Sequence, residues 1–543
     1  MAGAGPLVRP HAVDRPVPGA AAGPHAARMR GPRAARAALS GGGRRGPDAT
    51  APARPGAALM PSALTAADWM LAAPLLWLTG AGVLILLIDA LRPARLAEAV
   101  VALLGLTGAG WFVLPLLRES VSGFAAGGGA VPMLVSTPGL AALALLCLGS
   151  AFVAGALGLR RLVEYEGGRH GTAFWTLLLF CPAGMLLTLW SNHMATLFLG
   201  IETLSLPLYV LAALQRNDEH SVEAGLKYFL LGAFASGFLG FGMALVYAAT
   251  GRMDAAAGQE AALGPMAAVG LGMLLIGLLF KAAIAPFHLW AADVYQGAPT
   301  PVTALMAAGT KAAAVAALFR WSPGIELLPP TAWAMLGTLT LVVGNLSALN
   351  QANLKRMLAL SGVAHAGILL YALAANAAGL RTGGSGGEYA DGPFQSLSFY
   401  LLAYGFASLA AFGALELLER HSGGRSDDDA LRGMARRHPL PGAVLCVALL
   451  SLAGFPFTAG FLAKYFVFVE LIRVGMTGWA LAGILLTLLA FGYYLKALVN
   501  LFMREPGPQR PAMVPADAFA AAVLLVPAIL SVVFGVWPAP LRL

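Results

Sequence analysis

Charge is scarce in this chain. Asp, Glu, Lys and Arg make up 11% of its 543 residues, whereas apolar types make up 58%. Soluble domains carry roughly 25% charged residues, so this composition excludes a water-soluble globular protein and points to one that crosses a membrane many times. Cysteine is nearly missing as well, with Cys147, Cys181 and Cys446 isolated from one another and no Cys-x-x-Cys pair. That rules out thiolate-held iron–sulfur clusters and a disulfide framework, and leaves the three as small apolar residues inside helices. His193, His288 and His365 are scattered singly, so no facing pair presents itself for a haem. No Gly-x-Gly-x-x-Gly follows a strand and no P-loop occurs, which removes dinucleotide and nucleoside triphosphate chemistry. The expectation is a chain without a cofactor or redox site of its own.

Lysine is scarce in an informative way. Only six of the 35 basic residues are lysine, so surface charge is written as arginine. Yet Lys227, Lys281, Lys311, Lys464 and Lys496 all lie within apolar segments, and only Lys355 has a loop-like context. A charged side chain at mid-bilayer costs about 2.5–3.5 kcal/mol on insertion scales, so such groups face a protein interior or a wet cavity. A desolvated lysine can give up its proton, whereas arginine stays charged. The distribution therefore asks for a proton that can leave.

Residues 1–60 hold nine arginines and two aspartates, which leaves +2 of the formal +9 charge for everything after them. This Ala/Gly/Pro/Arg-rich stretch has no hydrophobic period and is expected to be disordered. It lacks the apolar core of a signal peptide, and a start at Met60 or Met70 is expected. From Leu71 onward, apolar segments of about 20 residues recur, the length that spans a bilayer as helix. About fourteen are counted, predicting an all-α polytopic membrane protein. Two are too long for plain spans, at 264–290 and 439–472, and each is interrupted by Pro-Phe, at Pro286 and Pro456. This frames three spans over 61–170, a five-helix unit over 171–320, a second over 331–503, and a last span in 514–543. Because five is odd, consecutive units start from opposite sides, so the repeats would be inverted, each with one broken helix, as in transporters. Alternating loops carry 15 basic residues on one side and six on the other, which places both ends of the core outside the cytoplasm.

Lys281 sits in a greasy run that Pro286 then breaks, in Phe280-Lys-Ala-Ala-Ile-Ala-Pro-Phe-His-Leu-Trp290. Irregular backbone survives in lipid only where it lines a cavity or is buried in protein. Glu202 is the acid well inside the fifth segment, and antiparallel packing would bring Lys227 towards it. Lys464 follows the second break by eight residues, about 12 Å further if the helix continues. Lys311 forms a relay with Lys281, while His288 and His365 sit at membrane depth and can pass protons near neutrality. Lys496 lies close enough to a segment end to snorkel.

Four stretches carry a family resemblance: Gly200-Ile-Glu202, Phe280-Lys through Pro301-Val-Thr303, Lys355-Arg-Met-Leu-Ala-Leu-Ser361 with His365, and Gly454-Phe-Pro-Phe-Thr-Ala-Gly-Phe461. Over roughly residues 60–543 the chain resembles subunit N of bacterial proton-pumping NADH:quinone oxidoreductase, complex I. The resemblance implies a membrane-arm subunit that moves protons, driven by electron transfer from NADH to quinone in partner subunits. Those subunits would hold the NADH, flavin, iron–sulfur and quinone sites. It implies a proton channel through Glu202, Lys227, Lys281, Lys311 and Lys464, and a home in the bacterial inner membrane among the other membrane subunits. Related subunits occur in multisubunit cation/proton antiporters, which is the alternative reading.

Overall fold

The computed structural model describes residues 64–91, 94–125, 131–164, 171–258, 264–322, 328–381, 388–505 and 518–539. The expectations for residues 1–60 fall outside this set. Among the described residues, twelve helices are long and apolar enough to cross a membrane. Two shorter apolar helices, Pro265–Lys281 and Pro439–Ala453, each run through an irregular turn into a further helix, and the fold is that of a polytopic helical membrane protein.

The chain opens with α1 (Ala66–Leu91) and α2 (Arg95–Val113), followed by a small hairpin of β1 (Val121–Gly123) and β2 (Leu134–Ser136). The hairpin is antiparallel, with Ser122 opposite Val135. It departs from the all-helical expectation, and the Asp68 carboxylate of α1 holds it by accepting from the Phe124 amide. Then come α3 (Pro138–Glu164), α4 (Gly171–Trp190), α5 (Met194–Ala212) and α6 (Glu219–Thr250). The first broken crossing is α7 (Pro265–Lys281) with α8 (Ala291–Gly297), and α9 (Thr300–Leu305) passes through a π-helical turn into α10 (Lys311–Trp321). The second half runs α11 (Pro330–Leu349), α12 (Leu354–Arg381), α13 (Glu388–His421) and the short α14 (Met434–Arg437). Its broken crossing is α15 (Pro439–Ala453) with α16 (Ala459–Arg473), before α17 (Thr477–Phe502) and α18 (Ala518–Val536) close the fold.

Burial sorts these helices by environment. The α9–α10 pair and α12 are enclosed along their most apolar stretches, and α13 and α3 nearly so, whereas α1, α2, α6, α17 and α18 show most of theirs at the surface. With lipid as solvent, apolar burial no longer drives helices together and close backbone contact does. Glycine allows that contact at the start of each half. A Cβ on Gly184 of α4 would lie 2.8 Å from the Gly200 carbonyl of α5, and one on Gly337 of α11 would lie 2.8 Å from the Gly367 carbonyl of α12.

Both breaks are capped from within the chain. α7 stops at Lys281, a full turn before the proline expected to end it. The residue before a proline is pushed out of helical geometry, and here Ala283 already adopts left-handed φ of 56°. Its amide bonds the Phe280 carbonyl at 3.0 Å, and the Trp290 indole nitrogen donates to the same oxygen at 3.2 Å. α15 stops at Gly454, where φ is 87°, and the chain turns through Phe455–Thr458 into α16. The helix does not continue past Pro456, so Lys464 folds back upon the break instead of lying 12 Å beyond it.

Candidate functional site

Lys281 ends α7, where a cation meets the negative end of the helix dipole. It is buried, and its Nζ donates to Ser205 Oγ of α5 at 2.7 Å and to Tyr228 OH of α6 at 3.2 Å. The rings of Tyr228 and Tyr209 lie beneath the ammonium at 5.2 and 5.7 Å, a cation–π arrangement. Trp290, from the break, stacks on Tyr228 with ring centres 4.6 Å apart and so ties the turn to the lysine's pocket. Glu202, one helical turn before Ser205 on α5, accepts from Ser236 Oγ of α6. A cavity of about 10 Å³ is lined by Ser205, Tyr209, Lys281 and Ser236 among others, the last being the residue that bonds Glu202. That is room for a single water with several polar partners.

A second set of groups gathers around α12. Lys311, the first residue after the π turn, is buried and donates to the Gly362 carbonyl at 2.5 Å, with the Tyr404 ring 5.3 Å away. His365, three residues further along α12, has Nδ1 2.7 Å from Tyr400 OH and Nε2 3.4 Å from Tyr494 OH. Tyr494 in turn donates to Ser361 Oγ at 2.9 Å. Lys464 donates to the carbonyls of Leu452 and Ala453 at 3.0 and 2.7 Å. These are orphan acceptors at the end of α15, released by the break. A further cavity of about 10 Å³ lies between His365, Tyr400, Tyr404 and Ser451.

Two expected members lie elsewhere. Lys227 does not reach Glu202. It pairs with Asp293 and Glu223, each at 2.7 Å, and its side chain is 41% exposed. The reason is depth, because Glu202 is met by Ser236, nine residues further along the same helix. His288 sits in the break itself, buried, with no hydrogen bond at Nδ1. Lys496 is half exposed and pairs with Asp428 at 3.1 Å. Sequence reasoning missed Asp293, which also accepts from Arg356 Nη1 of α12 at 2.6 Å. It missed Lys355 too, which is buried and donates to the Ala298 carbonyl at 2.8 Å. The tyrosines Tyr400 and Tyr404 were findable, since polar aromatics four apart share one face of a buried helix. Among the described residues no group of three or more His, Cys, Asp or Glu side chains is placed to hold a metal.

Broken helices with a buried lysine beside each break, on a bundle of a dozen long apolar helices, define an antiporter-like membrane subunit. Residues 191–490 match the family model described as NADH:quinone oxidoreductase/Mrp antiporter, TM. The chain is 42% identical to NADH-quinone oxidoreductase subunit N of Rhodococcus opacus (strain B4), over 69% of this chain and 70% of that one. A chain in the structure of respiratory complex I from Thermus thermophilus with bound aureothin is 36% identical, with a TM-score of 0.72, covering 86% of this chain and 98% of that chain. This protein belongs to the NADH-quinone oxidoreductase subunit N family. A chain of the Mrp complex from Dietzia sp. DQ12-45-1b shares the fold, with a TM-score of 0.75 at 20% identity, over 87% of this chain and 96% of that one.

Proposed function

We propose that this chain is a proton-translocating subunit in the membrane arm of a bacterial NADH:quinone oxidoreductase, and that Glu202, Lys281, Lys311, His365 and Lys464 carry the proton. The observation behind this reading is the company of the three buried lysines. Lys281 is held by two hydroxyls, Lys311 by one backbone carbonyl and Lys464 by two. None of these partners is charged, so losing the proton strands no buried carboxylate. A neutral amine still donates N–H to a carbonyl, and a hydroxyl can turn to donate in its place. Each site therefore tolerates both protonation states, which a relay requires. Lys227 and His288 are assigned supporting roles, the first through Asp293 and the second within the break.

The same reading orders the chain. Residues 171–320 and 331–503 are two five-helix units of opposite orientation, preceded by the spans of 61–170 and followed by that of 514–543. The glycine contacts between α4 and α5 and between α11 and α12 support it, as does the position of a broken crossing fourth in each unit. The excess of Lys and Arg puts the ends of the core on the periplasmic face of the inner membrane. Electron transfer takes place in partner subunits, which hold the flavin, the iron–sulfur clusters and the quinone site.

The test is Lys281→Arg, which keeps a positive charge and cannot release it. Proton uptake by inverted membrane vesicles during NADH oxidation, per assembled complex, should fall several-fold. Full uptake by this variant would overturn the reading, because the position would then need only fixed charge.

A further inference from the structure

A polar cavity of about 380 Å³ opens past the ends of α5, α8 and α13 and beside the start of α12, lined by Asp218, Gln296, Lys355, Glu416, Glu419 and Arg420 among others. This is the end of the bundle that carries the basic excess, and the cavity is large enough for a cluster of waters. Nothing in the lysine series uses it. Glu419 and Glu416 are buried on α13 beside it, where Glu416 pairs with Arg420 at 3.2 Å and Glu419 accepts from Thr300, since acids are seldom buried without partners.

Two elements lead from this cavity to Lys311. Along α13, Glu419, Glu416, Phe412, Ser408 and Tyr404 follow one another at spacings of three or four, which places them on one face. The Tyr404 ring covers the Lys311 ammonium at 5.3 Å. The second element begins at Thr300, whose hydroxyl donates to Glu419 at 2.5 Å, and runs through α9 and the π turn to Lys311 itself. π turns tend to occur at functional positions. Phe412 is the apolar step on the α13 face. It is buried, with its ring edge-on to Tyr295 at 6.1 Å.

We infer that this cavity is a proton entrance for Lys311, with Glu419 as the carboxylate that takes the proton from cavity water. The inference rests on the proton-translocating reading above. Ionised Glu419 accepts a proton and becomes the neutral acid. That acid then passes it inward to the neutral amine of Lys311 and returns to the carboxylate. Eight residues of helix, about 12 Å, separate Glu416 from Ser408, so the inward step needs a transient file of water past Phe412. With that file absent, the phenyl ring keeps the lysine from the cavity and stops back-flow.

The test uses the intact complex in inverted vesicles. Glu419→Gln keeps shape and the bond to Thr300 but cannot carry a proton, and should lower NADH-driven proton uptake per assembled complex at least fivefold. Glu419→Asp should restore most of it. A merely structural role would instead lower assembly in both variants. Gln296→Cys should react with a charged, impermeant thiol reagent added outside the vesicles, where the cytoplasmic face is exposed. Normal uptake by Glu419→Gln alongside failure of Lys281→Arg, or no labelling of Gln296→Cys, would overturn the entrance and leave the lysine relay standing. Normal uptake by both Glu419→Gln and Lys281→Arg would remove the relay itself.

Discussion

The Lys464 ammonium donates to the Ala453 carbonyl at 2.7 Å, across the break that separates their two helices. The end of one half-helix thus serves as the binding site for a cation carried by the other. At the first break the cation belongs to the helix it terminates, since Lys281 is the last residue of α7. Lys464 thus sits on helix carbonyls that have lost their intrahelical donors, whereas the Lys281 ammonium is held by hydroxyls of α5 and α6.

Gly454 makes the second arrangement possible. Its φ of 87° is one that L side chains rarely adopt, and a Cβ there would lie 3.0 Å from Lys464 Nζ. Left-handed geometry costs about 1–2 kcal/mol for a residue with a Cβ, and the lysine would have to move as well. Gly454→Ala should lower NADH-driven acidification of inverted vesicles several-fold, read by quenching of a ΔpH dye. Quinone reduction should fall with it if the two are coupled. Wild-type acidification by this variant would show that Lys464 has no need of its place on the α15 carbonyls.

Gly362 plays the same part for Lys311. A Cβ added there would meet Tyr404 OH at 2.7 Å and Lys311 Nζ at 2.8 Å. Overpacking of this kind costs about 1–3 kcal/mol in a tight core. Gly362→Ala should lower the melting temperature of the purified complex and weaken proton uptake. Gly149→Ala on α3, whose Cβ would meet nothing within 4 Å, should leave both unchanged. Equal behaviour of the two variants would deny Gly362 its role.

Much of this was legible in the sequence, and the gaps have physical causes. Segment length and hydropathy gave the spans, because a bilayer fixes how many apolar residues a helix needs. The Pro-Phe pairs marked both breaks, although α7 ends before Pro286, where Ala283 and Trp290 close the helix. The partners of Lys311 and Lys464 are backbone carbonyls, which every residue has, so composition cannot flag them. Glu202 and Lys227 looked like neighbours because facing helices were known but their relative depth was not. Asp293 was hidden for the same reason, lying beyond a break whose turn no periodicity describes.

Lys227 offers a direct check on that correction. Its bond to Asp293 is 2.7 Å with both side chains about a third exposed or more, a setting in which ion pairs are worth about 0.2–1 kcal/mol. A double-mutant cycle of Lys227→Ala with Asp293→Ala, read by denaturation of the complex, should show a coupling of that order. The cycle of Lys227→Ala with Glu202→Gln should show none. Coupling to Glu202 and not to Asp293 would reverse the assignment.

His438, between α14 and α15, stacks on His421 at the end of α13, with ring centres 3.7 Å apart and planes 15° from parallel. Burial, then the neighbouring His421 and Arg437, hold His438 below the ordinary imidazole range. Folding therefore disfavours its proton, and the unfolded chain binds that proton more readily. The stability tied to the neutral ring is complete above the unfolded value of about 6.5 and is lost as pH falls through the lower folded value. The junction of α13 with α15 should accordingly loosen in mild acid, on the side of the second break away from Lys464. Hydrogen exchange of residues 434–445 should quicken between about pH 7 and pH 5, after correction for intrinsic rates. His438→Phe, which keeps a ring for stacking but cannot bind a proton, should flatten that dependence. An unchanged acid response in His438→Phe would place the sensitivity on another group.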